Sequence, residues 1–412
     1  MLLERCAGLD VGKNEVVACV RTPASGRSGR RSELRTFPTF TDDLEALAGW
    51  LSAEGVTEVV MEATGQYWKP VWYVLEDRQF DLKLVNAKHV KMVPGRKTDL
   101  VDAAWLAQLL EHGLLRSSFV PPAEIRELRD LTRYRKRLIQ THTAECQRIQ
   151  KVLEDAGIKL DSVASDVLGV SGRAMLRALI DGERDPEQLA EMAKGVLRKK
   201  IPLLTKAMHG RFGAHHATML RIIFDHVEQL EASIAALDIE IDRVIAPFAP
   251  ARDHLDTITG IGKRAAEAII AEIGVDMTQF PTAAHLASWA GMCPANNITG
   301  GKRRPAGSLH GNRWLGEILN QCAVAASHTR DTYLAAQYWR LTRRIGRRKA
   351  AVAVGHSILV ICWHLLTNDT DYDDLGGDYF TRRTDRGKRR DQLIRQLHEL
   401  GYGVNLTDLA AA

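Results

Sequence analysis

Four acidic residues in the first quarter of the chain carry the strongest chemical signal: Asp10 in GLDVGK, Glu62 in VVMEATG, and Asp99 and Asp102 in KTDLVDAA. Asp10 and Glu62 stand at or near the ends of short apolar runs that read as strands. Asp99 and Asp102 are three apart on a helical stretch and share one of its faces. Two strand ends and a helix face that meet at a point could hold a pair of hard divalent cations. Carboxylates suit Mg²⁺ or Mn²⁺, and a metal pair can clamp the attacking and leaving oxygens of a phosphoryl transfer. The expected chemistry is metal-assisted cleavage of a phosphodiester, with Asp10, Glu62, Asp99 and Asp102 as ligands. Singly, each acid could equally be a cap or a solvated charge; the joint pattern, in the right element order, carries the reading.

Positioning such a set requires particular elements. Arg5 to Asp10 and Glu15 to Arg21 read as strands separated by a turn at Gly12-Lys13-Asn14, and Leu34 to Pro38 as a third strand. Thr41 is expected to cap a helix with Asp42 and Asp43 in its first turn. Glu58 to Glu62 reads as a buried strand, Trp68 to Glu76 as a helix, Leu82 to Val85 as a strand, and about Thr98 to Glu111 as a helix. Three strands followed by α-β-α-β-α is the order of an α/β RNase H-like domain. An Asp-x-Gly loop also occurs in actin-like kinases, but those need a second such loop and an adenosine pocket, and no convincing copy is found. No Walker-type phosphate loop is present, so no nucleotide cofactor is expected.

Val120-Pro121-Pro122 marks a boundary, beyond which the chain turns helical. Glu124 to Glu154 reads as one long helix with a cationic run, Arg129, Arg133, Arg135, Lys136, Arg137 and Arg148. Leu220, Ile223, Val227, Leu230, Ile234, Leu237, Ile241 and Val244 recur in steps of three and four, the period of a coiled coil, within one chain or between subunits. From His254, two short helices joined by Gly260 and Gly262 suggest a helix-hairpin-helix whose backbone approaches a phosphate, with Lys263 beside it. Gly300 to Arg304 is a basic loop containing Lys302 and Arg303. A second run, Arg340, Arg343, Arg344, Arg347, Arg348 and Lys349, follows Tyr338 and Trp339. Charge runs are usually solvated faces; here the neighbouring aromatics suggest nucleic-acid contact. The domains expected are 1–120 catalytic, 121–250 helical linker, 251–380 C-terminal, and 381–412 a charged tail.

Composition is consistent with this reading. With 412 residues and a formal charge of +5, the chain has material for two or three domains, and its pI near 8.8 is only mildly basic. Six scattered cysteines lack zinc-type pairing and read as reduced thiols of a cytoplasmic protein. The first five residues read as neither signal peptide nor anchor. The apolar stretch Ala350 to Leu366, interrupted by His356, Ser357 and His364, reads as a core helix, so no membrane partner is expected. His209, His215, His216 and His226 lack a third partner at ligand spacing, and no metal is assigned to them. Asp369, Asp371 and Asp373 mimic the start of a calcium loop, but Asp374 stands where glycine is needed and Phe380 where a bidentate Glu is needed.

GLDVGK, MEATGQYW, KTDLVDAAWLA, TITGIGKRAA, ASWAGMCPANN and GNRWLGEILNQCAVAAS occur in the same order as in the DEDD transposases of the insertion-sequence "one-ten" family, to which Piv-type DNA invertases are related. The resemblance spans about residues 5–380. It implies a RuvC-like, Holliday-junction-resolvase-like catalytic domain, a coiled-coil linker and a mainly helical C-terminal transposase domain. It also implies donor and target DNA as substrates, a structured bridge RNA that pairs with both, and a homo-oligomer assembled through the coiled coil. The family tetrad falls on Asp10, Glu62, Asp99 and Asp102. The family's nucleophilic serine falls on Thr299, a departure that leaves three readings: a threonine-using enzyme, a weakened or inactive copy, or a role for Ser308. Thr299 is taken as the nucleophile. Arg96, Lys97, Arg129, Arg133, Arg135, Lys136, Arg137, Gly260, Gly262, Lys263, Lys302, Arg303, Arg304, Arg343, Arg344, Arg347 and Arg348 are the expected nucleic-acid contacts. The alternatives are a metal-dependent junction nuclease that uses water and an inactive nucleic-acid-binding descendant.

Overall fold

The computed structural model describes residues 3–24, 29–63, 65–87, 90, 102–293, 298–299, 302–303, 311–382 and 386–406. Two compact units are present, Met1–Val120 and Pro121–Ala412.

The first unit is built on a six-stranded mixed sheet among the described residues. Its strands are β1 (Cys6–Val11), β2 (Glu15–Pro23), β3 (Arg30–Pro38), β4 (Glu58–Glu62), β5 (Asp81–Val85) and β6 (Ser117–Ser118), arranged in the order 3-2-1-4-5-6. β2 pairs antiparallel with β1 and β3, β4 runs parallel to β1, β5 parallel to β4, and β6 closes the edge antiparallel to β5. Helices α1 (Thr41–Ala53) and α2 (Trp68–Glu76) belong to the crossovers, and α3 (Asp102–Glu111) follows β5. Side chains alternate across a strand, and the two faces have separate cores. Ala7, Leu9, Val11, Val59 and Met61 pack with Leu44, Leu47, Leu51, Val71 and Leu75 of α1 and α2. Cys6, Val60 and Val85 pack with Trp105, Leu106 and Leu109 of α3. The edge strand β3, RRSELRTFP, is largely exposed and charged, a composition that discourages edge-to-edge pairing. Thr41 is the first residue of α1 and does not cap it; the N-cap is Phe40, which has no side-chain capping bond.

In the second unit two long helices, α4 (Ala123–Asp155) and α5 (Ala214–Ile245), form a hairpin within one chain. Of the three-and-four seam, Leu220, Ile223, Val227, Leu230, Ile241 and Val244 are buried, while Ile234 and Leu237 are half-buried. The segment between these helices folds into short helices whose core, which includes Leu160, Met175, Leu176, Leu189, Leu204 and Met208, is shared with Ile149 and Leu153 of α4 and Leu220 and Phe224 of α5. After the hairpin come α6 (Ala249–Asp256), α7 (Lys263–Ile273), α8 (Ala283–Trp289), α9 (Arg313–Ser327), α10 (Tyr333–Ile345) and α11 (Arg347–Asn368). Helix α11 is long and apolar enough to cross a membrane by length and composition. It nevertheless packs against α8, α9 and α10, and buries Val354, Ile358, Leu359, Cys362 and Leu365.

A strap of aspartates ties the segment after α11 back to α6. His254 lies between Asp371 (Nδ1 to Oδ1, 2.7 Å) and Asp369 (Nε2 to Oδ1, 3.1 Å). Asp374 accepts from the backbone N–H groups of Tyr333 and Gly376, and the Tyr372 N–H donates to Thr257 Oγ1 at 2.9 Å. The hydrogen bond to Asp371, reinforced by that to Asp369, raises the His254 pKa above its usual value. The folded value exceeds the unfolded one, so this stabilisation is complete below about pH 6.5 and is lost as pH rises through the folded value. Hydrogen-exchange protection of the Tyr372 and Gly377 amides, corrected for intrinsic rates, should fall as pH rises above neutrality. His254→Gln should remove that dependence; a pH profile unchanged by the mutation would rule the clamp out.

Candidate functional site

The alternation that sorts the two cores also places the first acids. Asp10 lies two residues beyond Gly8 on the α3 face of β1, and Glu62 two beyond Val60 on the same face of β4. In the parallel register Leu9 faces Met61, so Asp10 and Glu62 follow side by side. Asp102 opens α3, which packs across β1. Burial first, and then the negative charge of Asp102, raises the Asp10 pKa above the ordinary carboxylate value. Three of the four predicted acids therefore come from three elements around one face of the sheet. Asp99, Arg96 and Lys97 lie outside the described residues.

Two contacts that sequence reasoning did not single out hold α3 in place. A Cβ at Gly8 would overlap the backbone of Ala103 and Ala107, so only glycine allows the helix to lie this close. At the other end of α3, buried Glu111 is paired with Arg21 and Arg30 of β2 and β3, each at 2.6 Å. The available signals were an isolated glycine inside a strand pattern and alanines four apart on the helix.

Thr299 sits in a short hairpin, Ile298–Thr299 with Lys302–Arg303, directly opposite Lys302 in register. Arg304 and Ser308 lie outside the described residues. On the C-terminal side of this segment Asn312 caps α9 by accepting from the Leu315 N–H, and its Nδ2 donates to Glu272 at 2.6 Å. Glu272 is 1% exposed and accepts two parallel bonds from Arg133 at 2.7 and 2.8 Å.

The predicted cationic surface on α4 needs correction. Arg129 donates to the carbonyls of Ala271 and Glu272, and burial lowers its pKa to about 10. Arg135 is buried against Glu267 (2.9 Å) and Asp238 (2.8 Å), and Lys136 pairs with Glu317 at 2.6 Å. With Arg133 on Glu272, all four cations have acceptors within the unit, two of them the buried carboxylates of Glu267 and Glu272 on α7; of the four only Arg135 is itself buried. Arg137 is exposed and has no carboxylate partner among the described residues. Gly260 also has a packing role: with φ +89, a Cβ there would stand 2.5 Å from the Cys322 carbonyl oxygen on α9. Gly262 is the N-cap of α7, and Lys263 pairs with Asp242 at 2.7 Å. Arg343, Arg344, Arg347 and Arg348 are exposed around the α10–α11 junction, with no ion pair among the described residues.

His215 and His216 do acquire a third partner, Asp155, with ligand atoms within 4.8 Å. The arrangement suits a cap better than a metal. His216 Nδ1 accepts from the Gly213 N–H at 3.0 Å, which leaves Nε2 as the protonated nitrogen facing Asp155 at 3.0 Å. Neither ring nitrogen then offers a free lone pair.

A family model for transposases of the DEDD, IS110 type matches residues 7–158, and one described as the transposase IS116/IS110/IS902 family matches residues 252–340. The chain belongs to the IS110 family of transposases. Among its relatives, a "Probable family 20 transposase" of Pseudomonas aeruginosa is 28% identical over 321 residues, spanning 76% of this chain and 85% of its own length. The "Transposase for insertion sequence element IS1111A" of Coxiella burnetii is 26% identical over 323 residues, spanning 76% and 79%. An IS110 insertion-element protein of Streptomyces coelicolor is 36% identical over 113 residues, 26% of this chain and 25% of its own. In this IS110-family transposase both matched regions contain candidate site residues, and residues 159–251 fall outside both.

The contact at Gly8 is directly testable. Gly8→Ala should force α3 away from β1, cost about 1–3 kcal/mol, and depress strand cleavage beyond what reduced stability accounts for. Gly49, inside α1, has no atom within 4 Å of the point where an added methyl group would sit, so Gly49→Ala should be neutral or stabilising by about 0.5–1 kcal/mol. Urea unfolding alongside a cleavage assay separates the two, and equal behaviour of the variants would refute the close-packing account.

Proposed function

We propose that this IS110-family transposase cuts and rejoins DNA at a composite site, with an RNase H-like (RuvC-like) first unit supplying the acids and Thr299 supplying the nucleophile. The proposal is supported by the placement of Asp10, Glu62 and Asp102 on three elements around one face of a sheet ordered 3-2-1-4-5-6. Their donor chemistry fits a hard divalent ion: all are carboxylates, and the mutual repulsion of Asp10 and Asp102 is what a cation would relieve. With Asp99 they would hold Mg²⁺ or Mn²⁺, which when bound supplies electrophilic stabilisation of a phosphate under attack.

In the proposed reaction Thr299 Oγ attacks phosphorus, a Thr–O–P bond forms, and the P–O bond to the leaving deoxyribose oxygen breaks. That oxygen takes up a proton and later returns to the phosphorus to release Thr299. The phosphodiester energy is retained, so rejoining needs no nucleotide. Arg343, Arg344, Arg347 and Arg348 are proposed backbone contacts, together with Arg137, Lys302 and Arg303. The family resemblance motivates guidance by a bridge RNA, assembly of a homo-oligomer through the helical hairpin, and action in the cytoplasm. The free cysteines suit a reducing compartment.

The nucleophile separates this reading from a junction nuclease that uses water. With a nicked substrate that blocks rejoining, wild type should leave protein covalently attached to labelled DNA, seen as a shifted band on a denaturing gel. Thr299→Ala should lose that band; Thr299→Ser should keep or strengthen it, because serine retains the hydroxyl without the methyl that restricts χ1. Asp10→Asn should abolish cleavage while leaving DNA binding intact. Cleavage by Thr299→Ala without any adduct would favour the hydrolytic nuclease. Loss of the adduct only in Ser308→Ala would move the nucleophile, and absence of all cleavage by wild type would favour an inactive descendant.

A further inference from the structure

Inside the second unit, α4, α7 and α9 enclose an open pocket of about 360 Å³. Ala265, Ala268, Ile318 and Cys322 contribute its apolar lining, and Trp314 forms part of its wall. That volume is at the small end of ligand sites, roughly 300–1,000 Å³.

Trp314 is surrounded by positive charge. The guanidinium of Arg133 and the ammonium of Lys136 each lie 5.4 Å from the indole centroid, and the guanidinium of Arg137 lies 5.6 Å away. Arg133 is held by Glu272 and Lys136 by Glu317, so neither can leave without abandoning a carboxylate. Arg137 is exposed and has no carboxylate partner among the described residues, so it can lift from the ring at little cost. An indole bordered by an exposed guanidinium, beside an apolar hollow, matches a planar aromatic ligand carrying a negative charge. A simple anion would have no use for the ring and hollow, and an apolar peptide would have none for the cations.

We propose that this pocket takes one unstacked nucleobase of a single-stranded segment, with the base lying against Trp314 in the hollow and the adjoining phosphate meeting the exposed guanidinium of Arg137. DNA and RNA offer the same base-plus-phosphate chemistry. Holding a base outside its stack would keep a separated strand from re-pairing. The inference rests on this transposase acting on nucleic acid and is independent of the acids and of Thr299.

The test uses the full chain in EDTA, where no cleavage occurs, with fluorescein-labelled 20-mers of one mixed sequence as single-stranded DNA and as RNA. Trp314→Ala should weaken binding by at least about fivefold, the low end of a single base–aromatic stack, and Trp314→Phe should change it by less than about threefold. Ala325 lies at the mouth and is exposed, so Ala325→Phe should fold normally and weaken binding like Trp314→Ala. Oligomers carrying 5-iodouracil should photo-crosslink to Trp314 by mass spectrometry, equally in Asp10→Asn and Thr299→Ala. Whichever of the DNA and RNA probes loses affinity in the variants identifies the strand bound. Equal binding of both probes by wild type, Trp314→Ala and Ala325→Phe would overturn the proposal, as would crosslinks that map elsewhere. A drop in molar mass caused by Ala325→Phe without nucleic acid would assign the pocket to a contact between copies of the chain, and would overturn it too.

Discussion

The close approach of α3 to β1 governs the first unit. Asp10 and Asp102 are like charges on elements that electrostatics alone would push apart, and the Asp10 pKa is raised by burial first and by that neighbouring charge second. Proximity is maintained because Gly8 removes the steric obstacle to Ala103 and Ala107, and because Glu111 is fixed between Arg21 and Arg30 at the other end of the helix. Charge repulsion at one end of a ten-residue helix is outweighed by apolar contact along its length and by an ion-paired anchor at its foot. A weakly packed loop bearing the same acids would relax away from them.

The second unit solves a related problem with opposite signs. Glu267 and Glu272 are both 1% exposed on α7, a placement that would be strongly unfavourable without partners. Arg133 and Arg135 on α4 supply them, and Asn312 adds a neutral donor. The result is a polar junction of α4, α7 and α9 whose geometry allows few alternatives, since each carboxylate has designated donors. The segment bearing Thr299 re-enters the helical core at that junction.

Local periodicity made much of this visible in the sequence. Glu58–Glu62 and Trp68–Glu76 coincide with the observed strand and helix, and Asp42 and Asp43 lie in the first turn of α1 as their charge suggests. Asp10 and Glu62 could be placed because apolar runs mark strands and alternation assigns faces. The partners of charged residues were not legible. Arg129, Arg133, Arg135 and Lys136 resemble any solvated basic run, and only the fold reveals carboxylates more than 100 positions away. Gly8, a lone glycine in a strand pattern, does not by itself reveal the helix that packs on it, and Asp155 meets His215 and His216 only because a helical hairpin brings its distant arms together.

That hairpin has a further consequence. A helix of 33 residues is about 50 Å long, and the small bundle between its arms shares one core with Ile149 and Leu153 of one arm and Leu220, Ile223, Phe224 and Val227 of the other. Its entry and exit are stitched together: the Arg211 N–H donates to the Ala156 carbonyl at 2.7 Å, and the Lys159 N–H to that of Ala207 at 2.8 Å. Where two ends already meet, the chain between them can be exchanged with little added loop-closure entropy. The root at Ala156 and Arg211 is therefore a graft point only for a domain that also covers the apolar side chains the two arms lend to the bundle's core.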